Sequence, residues 1–375
     1  MKRFTYLYFF GALCSLSLMT SCNSDDAVDP STEESSAPDT YDFDNASYSG
    51  QLERLAMLGE LTDYMKTANT EGVTLDAQKL ADMYANTNDP FSTTYGKQLQ
   101  NKTSNDGVDS IDAWLASLAQ VSSDAGTSTG SNGTAGRLTS EAGKTYLFNE
   151  NGLEFTQMIE KGIMGACFYY QATSVYLTDG ESGIGADNTT NVEDKDYTQQ
   201  EHHFDEAFGY FGAPIDLSAE NISDRISDKT ASYHAKYAEK AEAGGFPVVN
   251  HIMCGFREGR YAITQNDEAS LKSHRDVITT EWEKIIAAAA LHYINNAKGD
   301  DYTDLAARCH QLSEAKAFIW SLFFNARKVI TIAQVNELLG YLGDNFYTVS
   351  QANLQLAADK IAEVYGISGT VQDAI

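Results

Sequence analysis

Apolar residues recur every three to four positions along most of this chain, which is the spacing of one face of an α-helix. No long run alternates apolar and polar residues, so the pattern predicts no substantial β-sheet. We therefore predict an all-α fold of antiparallel helix bundles, and two packed bundles are favoured because long helices occur in both halves. The predicted helices cover Leu52–Thr67, Leu75–Asn86 (with Thr74 as its cap), Asp109–Leu118, Asn151–Leu177, Ile222–Ala241, Asn266–Ala297, Asp304–Ile330 and Leu354–Tyr365, with further helices starting at Glu201 and Thr331.

Small residues lie one turn apart in the long helix predicted over 151–177, at Gly162, Gly165 and Ala166. Each glycine inside a helix costs about 1 kcal/mol relative to alanine. Close packing against another helix would offset that cost, so the pattern predicts a close helix contact at this point.

The first 21 residues have the features of a signal peptide. Lys2 and Arg3 precede an apolar run over 4–18, and small residues then lead to Cys22. This ending resembles a bacterial lipoprotein box, in which the cysteine is lipidated, and the apolar run is short for a membrane span. We predict that residues 1–21 are removed and that a lipid on Cys22 anchors the protein to the outer membrane.

Residues 22–40 are acidic, rich in Ser and Thr, and contain no aromatic residue. Such a segment buries too little apolar surface to order itself, so we predict a disordered tether followed by one helical domain over 41–375. Acidic residues directly after a lipidated cysteine resemble the surface-export signal of Bacteroidota lipoproteins, which implies exposure at the cell surface.

The chain is strongly acidic, with 53 acidic against 26 basic residues and a net charge of −27. A protein of this charge repels nucleic acid and anionic lipid headgroups, so neither is expected as a partner, whereas cations are attracted.

Three cysteines follow Cys22, and none of them belongs to a CxxC motif. Cys167 and Cys309 lie within helical patterns, so we interpret these residues mainly as buried small apolar side chains. The fold is not expected to depend on disulfide bonds.

A histidine-rich helix over 201–212 is the main candidate for chemistry. Phe204, Phe208 and their apolar neighbours share one arc, and Glu201, His202, Asp205 and Glu206 lie away from it. His203 lies one turn before Glu206. The favoured interpretation is the polar side of an amphipathic helix. The alternative is half of a metal site, since a carboxylate one turn from an imidazole is able to share a metal with it.

Further ligands for such a site would have to come from the second half of the chain. His310 and Glu314 stand four residues apart on one helical face, and His292 is a further candidate. Imidazole and carboxylate together suit iron, manganese or zinc, so the spacing does not select the metal. The zinc-peptidase motif HExxH and the nucleophile motif GxSxG are both absent from the sequence.

Several segments carry a resemblance to a known family: Asn151–Phe155, Lys161–Ala166, the central HHFDEAFGYFG, Phe256–Arg260 and Leu312–Ala317. Together they resemble uncharacterised Bacteroidota lipoproteins, a domain of unknown function that is more loosely similar to imelysin-like proteins. The latter are helical, form two related bundles, carry a Gly-x-His-x-x-Glu motif, and are described as metallopeptidase-like and linked to iron uptake. His203 and Glu206 match that motif, but Glu201 replaces its glycine, which weakens the case for peptidase activity.

These observations lead to one functional expectation and two alternatives. We expect a surface or periplasm-facing lipoprotein that binds iron, or a metal-bearing ligand, during nutrient uptake with an outer-membrane receptor. The first alternative is a metallopeptidase that uses His203 and Glu206. The second is a non-catalytic accessory or adhesion protein of an outer-membrane uptake complex.

Overall fold

Twelve α-helices and one two-stranded hairpin form the part of the chain that the computed structural model describes, residues 37–367, 369 and 371. The predicted signal peptide, Cys22 and the tether up to residue 36 lie outside these residues. The helices are α1 Ser49–Lys66, α2 Ala77–Ala85, α3 Asn105–Ala125, α4 Phe155–Ile163, α5 Gln199–Phe211, α6 Ile222–Asp228, α7 Tyr233–Ala243, α8 Val249–Thr264, α9 Glu268–Lys298, α10 Leu305–Ser321, α11 Ile332–Leu342 and α12 Gln351–Tyr365, and the strands are β1 Gly136–Thr139 and β2 Thr145–Phe148.

Several helix predictions were wrong at their boundaries. The helix predicted over Asp304–Ile330 ends at Ser321 and is followed only by a 3₁₀ turn over Leu322–Phe324, because Asn325 has an extended backbone. Two others differ for local reasons. The second helix begins after Asp76, so Thr74 is not its cap. The Asp76 side chain accepts hydrogen bonds from the backbone N–H groups of Gln78 and Lys79. The helix predicted over Ile222–Ala241 is interrupted at Lys229, which has a left-handed backbone with φ of 55°. A helix cannot continue through such a residue, so α6 and α7 are separate.

The hairpin was not predicted, because four-residue strands are too short to give a clear alternation. β1 and β2 pair antiparallel, with Gly136 opposite Phe148 and Thr139 opposite Thr145. The buried Arg137 side chain fixes the hairpin to the helices by donating to the carbonyl oxygens of Ala68, Val73 and Gly126. The hairpin thereby closes over the end of α1 and the end of α3.

The close helix contact predicted at Gly162 and Gly165 is confirmed. A Cβ atom at Gly162 would lie 2.7 Å from the Trp114 ring, and one at Gly165 would collide with Ser321 of α10. After α4 the helix continues in wide π-helical turns over 164–169 and 172–176. The prediction of a regular helix up to residue 177 was therefore wrong in its second half.

The longest helix, α9, with 31 residues, lies at the centre of the packing. It contacts α7, α8, α10 and α12, and buried side chains from both halves of the chain form one continuous core. The all-α class is confirmed, whereas the division into two bundles stays a prediction. Within the described residues, no helix is both long enough and apolar enough to cross a membrane.

Cys167 and Cys309 are buried free thiols, as predicted. Burial raises the pKa of each thiol to about 12, so neither is reactive at neutral pH.

Candidate functional site

The central helix α5 begins with a capping box. The Thr198 hydroxyl accepts from the Glu201 N–H, and the Glu201 carboxylate accepts from the Thr198 N–H. The apolar arc of Phe204 and Phe208 is buried, as predicted. The opposite side is not a solvated face, however, because Glu201 and Asp205 are also buried.

A buried ion-pair network accounts for these two carboxylates. The Arg260 side chain of α8, which is 0% exposed, donates to Asp205 at 2.9 Å and to Glu201 at 2.8 Å. Its third nitrogen donates to Asn45, and the hydroxyl of Tyr41 donates to Asp205. Two acidic residues of the central motif thus hold the segment before α1 against α5 and α8, which is a structural role.

The predicted pair His203 and Glu206 does not interact directly. His203 places one ring nitrogen 2.7 Å from the Gln199 amide and the other 3.0 Å from the Gly183 carbonyl oxygen. Glu206 accepts from Gln51 at 2.6 Å and from Tyr176 at 3.2 Å. Protein groups therefore already occupy both members of the proposed half-site.

His202 faces Glu206 instead, with its Nε2 4.0 Å from a Glu206 oxygen. Its Nδ1 is 3.0 Å from the Ser47 carbonyl oxygen, and its ring stacks against Tyr197. Among the described residues, no group of three or more His, Cys, Asp or Glu side chains is arranged to hold a metal.

His310 and Glu314 lie elsewhere, in a cleft of about 830 Å³. Its walls come from α1, the hairpin, α4, α7, α9 and α10, and the residues of the central helix do not line it. The aromatic and charged side chains that line the cleft are Tyr146, Tyr233, Tyr237 and Tyr293; Asp63, Glu154, Glu160 and Glu314; Lys66, Lys144, Lys161, Lys236 and Lys240; and His310.

A ring of polar contacts forms one wall of this cleft. His310 Nδ1 is 2.6 Å from Glu154, and His310 Nε2 is 3.8 Å from Glu314. Lys161 is 3.2 Å from the same Glu314 oxygen and donates to Gln157, which in turn donates to Glu154. Tyr146 stacks on the His310 ring with a centroid distance of 4.2 Å. Two carboxylates therefore flank one imidazole, and one lysine closes the ring.

The charges in this ring stabilise one another. Burial disfavours protonation of His310, but the carboxylates of Glu154 and Glu314 outweigh it and raise the pKa of His310. Burial also opposes ionisation of Glu314, but Lys161 and His310 outweigh it and lower the pKa of Glu314. The same reasoning applies to Lys161, whose pKa is raised by Glu160 and Glu314 against the effect of burial.

The other four lysines of the cleft behave differently. In the part of the chain that the structure describes, Lys66, Lys144, Lys236 and Lys240 form no ion pair with a carboxylate. Lys240 instead lies 5.2 Å from the ring of Tyr237, and burial lowers its pKa. The cleft is thus locally cationic in a chain whose net charge is −27.

A family model described as "Domain of unknown function (DUF4856)" matches residues 38–368. The chain belongs to the DUF4856 family. No curated protein and no solved structure matches it. The match covers the whole helical body of this DUF4856 chain, including both the central helix and the cleft.

Sequence reasoning found His310 and Glu314 of this DUF4856 domain, but not their partners Glu154, Lys161 and Tyr146. Lys161 gave a usable signal, because the residues that follow it, from Gly162 to Phe168, include no charged residue, and a lysine is rarely buried unless it is paired. The sequence gave no such signal for Tyr146, since this residue lies on the hairpin that the hydrophobic pattern did not predict.

The histidine of this DUF4856 cleft should make stability depend on pH. A folded-state pKa above the unfolded value of about 6.5 contributes stability that is complete below about pH 6.5 and is lost as pH rises through the folded pKa. The variant His310→Gln should therefore lose more stability at about pH 6 than at about pH 9. Urea unfolding at both pH values measures this, with the exposed His251→Gln as control. An equal loss at both pH values would contradict the charge assignment.

Proposed function

We propose that this protein is a surface or periplasm-facing lipoprotein that binds a small anionic ligand in the cleft, as one step of nutrient uptake. The observation that supports it is the set of four lysines around one cavity, Lys66, Lys144, Lys236 and Lys240, none paired with a described carboxylate. Concave sites with a few convergent polar groups are the usual place for small-molecule binding.

Local charge favours an anion over a bare cation. Glu160 and Glu314 are engaged by Lys161, and Glu154 faces His310, so Asp63 is the carboxylate of the cleft that lacks a described cationic partner. A metal cation entering the cleft would meet four ammonium groups against this one carboxylate. An anion would meet the same groups as ligands, and the acidic surface outside would restrict its approach to the cleft.

The metal hypothesis is best supported here in its second form, a metal-bearing ligand. A chelate that holds its metal through carboxylate or other anionic oxygens presents negative charge outward, which suits lysine side chains. That the metal is iron, and that the fold is related to imelysin-like proteins, rest on the sequence resemblance alone and remain proposals.

Direct metal binding by His203 and Glu206 is less favoured, because protein groups already bond to both side chains. A metallopeptidase using the same pair would face the same difficulty. The accessory or adhesion role requires no small ligand, so a ligand-binding test separates it from the proposal.

Calorimetric titration with citrate and ferric citrate tests the proposal. We expect Lys66→Gln/Lys236→Gln to weaken binding about tenfold or more, equal to about 1.4 kcal/mol, because two cationic partners are lost. The control Lys195→Gln/Lys272→Gln makes the same charge change outside the cleft and should leave affinity within about twofold.

Three results would contradict the proposal. Equal weakening by both double variants would indicate only long-range charge. Binding of free zinc or ferric ions that disappears in His203→Ala or Glu206→Gln would favour the central helix instead. Cleavage of denatured protein substrates that is lost in the same variants would favour the metallopeptidase.

A further inference from the structure

A smaller cavity of about 340 Å³ lies between α6, α7 and α9. Its walls are mainly apolar and include Ile226 of α6, Ala241 and Ala243 of α7, and Ala288 and Ala289 of α9. We refer to the cavity bounded by these five residues as the alanine pocket. Its volume is at the lower end of the range of about 300–1,000 Å³ that is usual for small-molecule sites.

Side-chain size explains why this space exists. Ala241, Ala288 and Ala289 are buried, but each contributes only a methyl group to the wall. The wall atoms therefore lack the dispersion contacts that a larger apolar group between the helices would provide. Ile226 is 43% exposed, so solvent reaches the wall that α6 forms. The alanine pocket thus presents apolar surface that a small ligand from solvent is able to cover.

A single lysine accompanies this apolar surface. Lys240 lines the alanine pocket and is exposed, with its ammonium group 5.2 Å from the centre of the Tyr237 ring and 5.9 Å from that of Tyr293. Among the residues that the structure describes, no carboxylate forms an ion pair with Lys240, and none lines the pocket. His292, the other basic residue of the lining, has its Nε2 3.1 Å from the Asn296 amide nitrogen.

We infer that the alanine pocket binds a small alkyl carboxylate, with its alkyl chain against the alanines and its carboxylate at Lys240. An alkyl cation would meet Lys240 as a like charge, and a neutral apolar molecule would leave the ammonium group without a partner. This inference goes beyond the proposed function and does not depend on it.

Chain length and head-group charge are the properties to measure by calorimetric titration of the full protein. Affinity should rise about two- to fourfold with each added methylene from butanoate through hexanoate to octanoate, and fourfold corresponds to about 0.8 kcal/mol, the value for a fully buried methylene. Octylammonium has the same chain length with the opposite charge. It should bind at least about fivefold more weakly than octanoate, although the net charge of −27 favours a cation elsewhere on the protein.

A variant that fills the pocket tests the place of the alkyl chain. Ala289→Leu adds three carbons to the wall and should weaken octanoate binding about tenfold or more, because the added group occupies the space of the chain. Ala116→Leu makes the same change at an exposed position of α3 and should leave octanoate affinity unchanged. Thermal denaturation establishes that both variants are folded.

A second variant, at an exposed position where folding is not at risk, tests the place of the carboxylate. Lys240→Met removes the ammonium group and keeps an apolar side chain, so octanoate binding should weaken about three- to fivefold and octanol binding should stay within about twofold. Lys236→Met removes the same charge one turn earlier on α7, where the side chain lines the cleft but not the alanine pocket, and should change neither affinity by more than about twofold.

The outcomes are distinct from those of the proposed function. Octanoate affinity that does not rise with chain length, or that is unchanged by Ala289→Leu, would overturn the inference. Equal weakening of octanoate and octanol by Lys240→Met, or octylammonium binding as tightly as octanoate, would overturn it as well. Octanoate affinity that stays within about twofold in Lys66→Gln/Lys236→Gln would support a site separate from the cleft, whether or not citrate binds there.

Discussion

Replacing Arg260 by methionine should lower the free energy of unfolding by about 3–5 kcal/mol, which is the usual cost of removing one partner from a buried ion pair. The methionine would fill much of the space, but the Asp205 and Glu201 carboxylates would lose their cation. Asp205 is fully buried, and its remaining donors are Tyr41 and the Ser47 N–H. Urea unfolding of the two proteins measures the difference.

Two controls separate the loss of charge pairing from the loss of a large side chain. Arg225→Met removes a surface ion pair with Asp216 and should cost about 1 kcal/mol or less. The double variant Asp205→Leu/Arg260→Met should recover part of the lost stability, since no unpaired carboxylate remains at position 205. A loss below about 1 kcal/mol for Arg260→Met would show that the network is not needed for stability.

Replacing Glu283 by alanine should have an effect of similar size, about 3–5 kcal/mol, because its carboxylate serves several buried donors at once. It accepts from the N–H groups of Val329 and Ile330, from the Asn325 amide and from the Tyr365 hydroxyl, all at 2.8–2.9 Å. The variant would leave these donors unsatisfied within the core between α9, α12 and the segment before α11.

Hydrogen exchange gives this prediction a local measurement. The amides of Val329 and Ile330 should exchange faster in Glu283→Ala, because they lose their acceptor. Glu268→Ala, on the same helix but largely exposed, should cost about 0.5 kcal/mol and leave both amides protected. Unchanged protection of the two amides in Glu283→Ala would contradict the assigned role.

Periodicity predicted the fold class well, because apolar stripes dominate the long helices. It failed where one residue decides the backbone, as at Lys229, and where an element is too short to show a period, as in the hairpin. Periodicity also did not predict the π-helical turns after Ile163, since a continuously apolar sequence is compatible with both α-helical and π-helical geometry. The contacts at Gly162 and Gly165 were predictable because a glycine in the middle of a helix lowers helix stability, and close packing against another helix offsets that cost.

The candidate site was only partly predictable, for a different reason. We based the metal hypothesis on the acidic and histidine residues of the central motif because they are close together in the sequence. The partners of Glu201 and Asp205 come from Arg260 and from the segment before α1, and sequence spacing does not reveal such contacts. His310 and Glu314 were predicted as a pair because they lie one helical turn apart. Their partner Glu154 lies 156 residues before His310, so sequence spacing did not connect them.

The walls of the cleft come from segments that are far apart in the chain, from Gly59 in α1 to Glu314 in α10. No short fragment contains the proposed binding surface, so a ligand that occupied it would recognise only the folded domain. Such a ligand raises global stability by mass action, by about 2.7 kcal/mol when its free concentration is about 100 times its dissociation constant. Thermal denaturation of the intact protein is therefore a general assay for unknown ligands, because it requires neither a label nor knowledge of the ligand's chemistry.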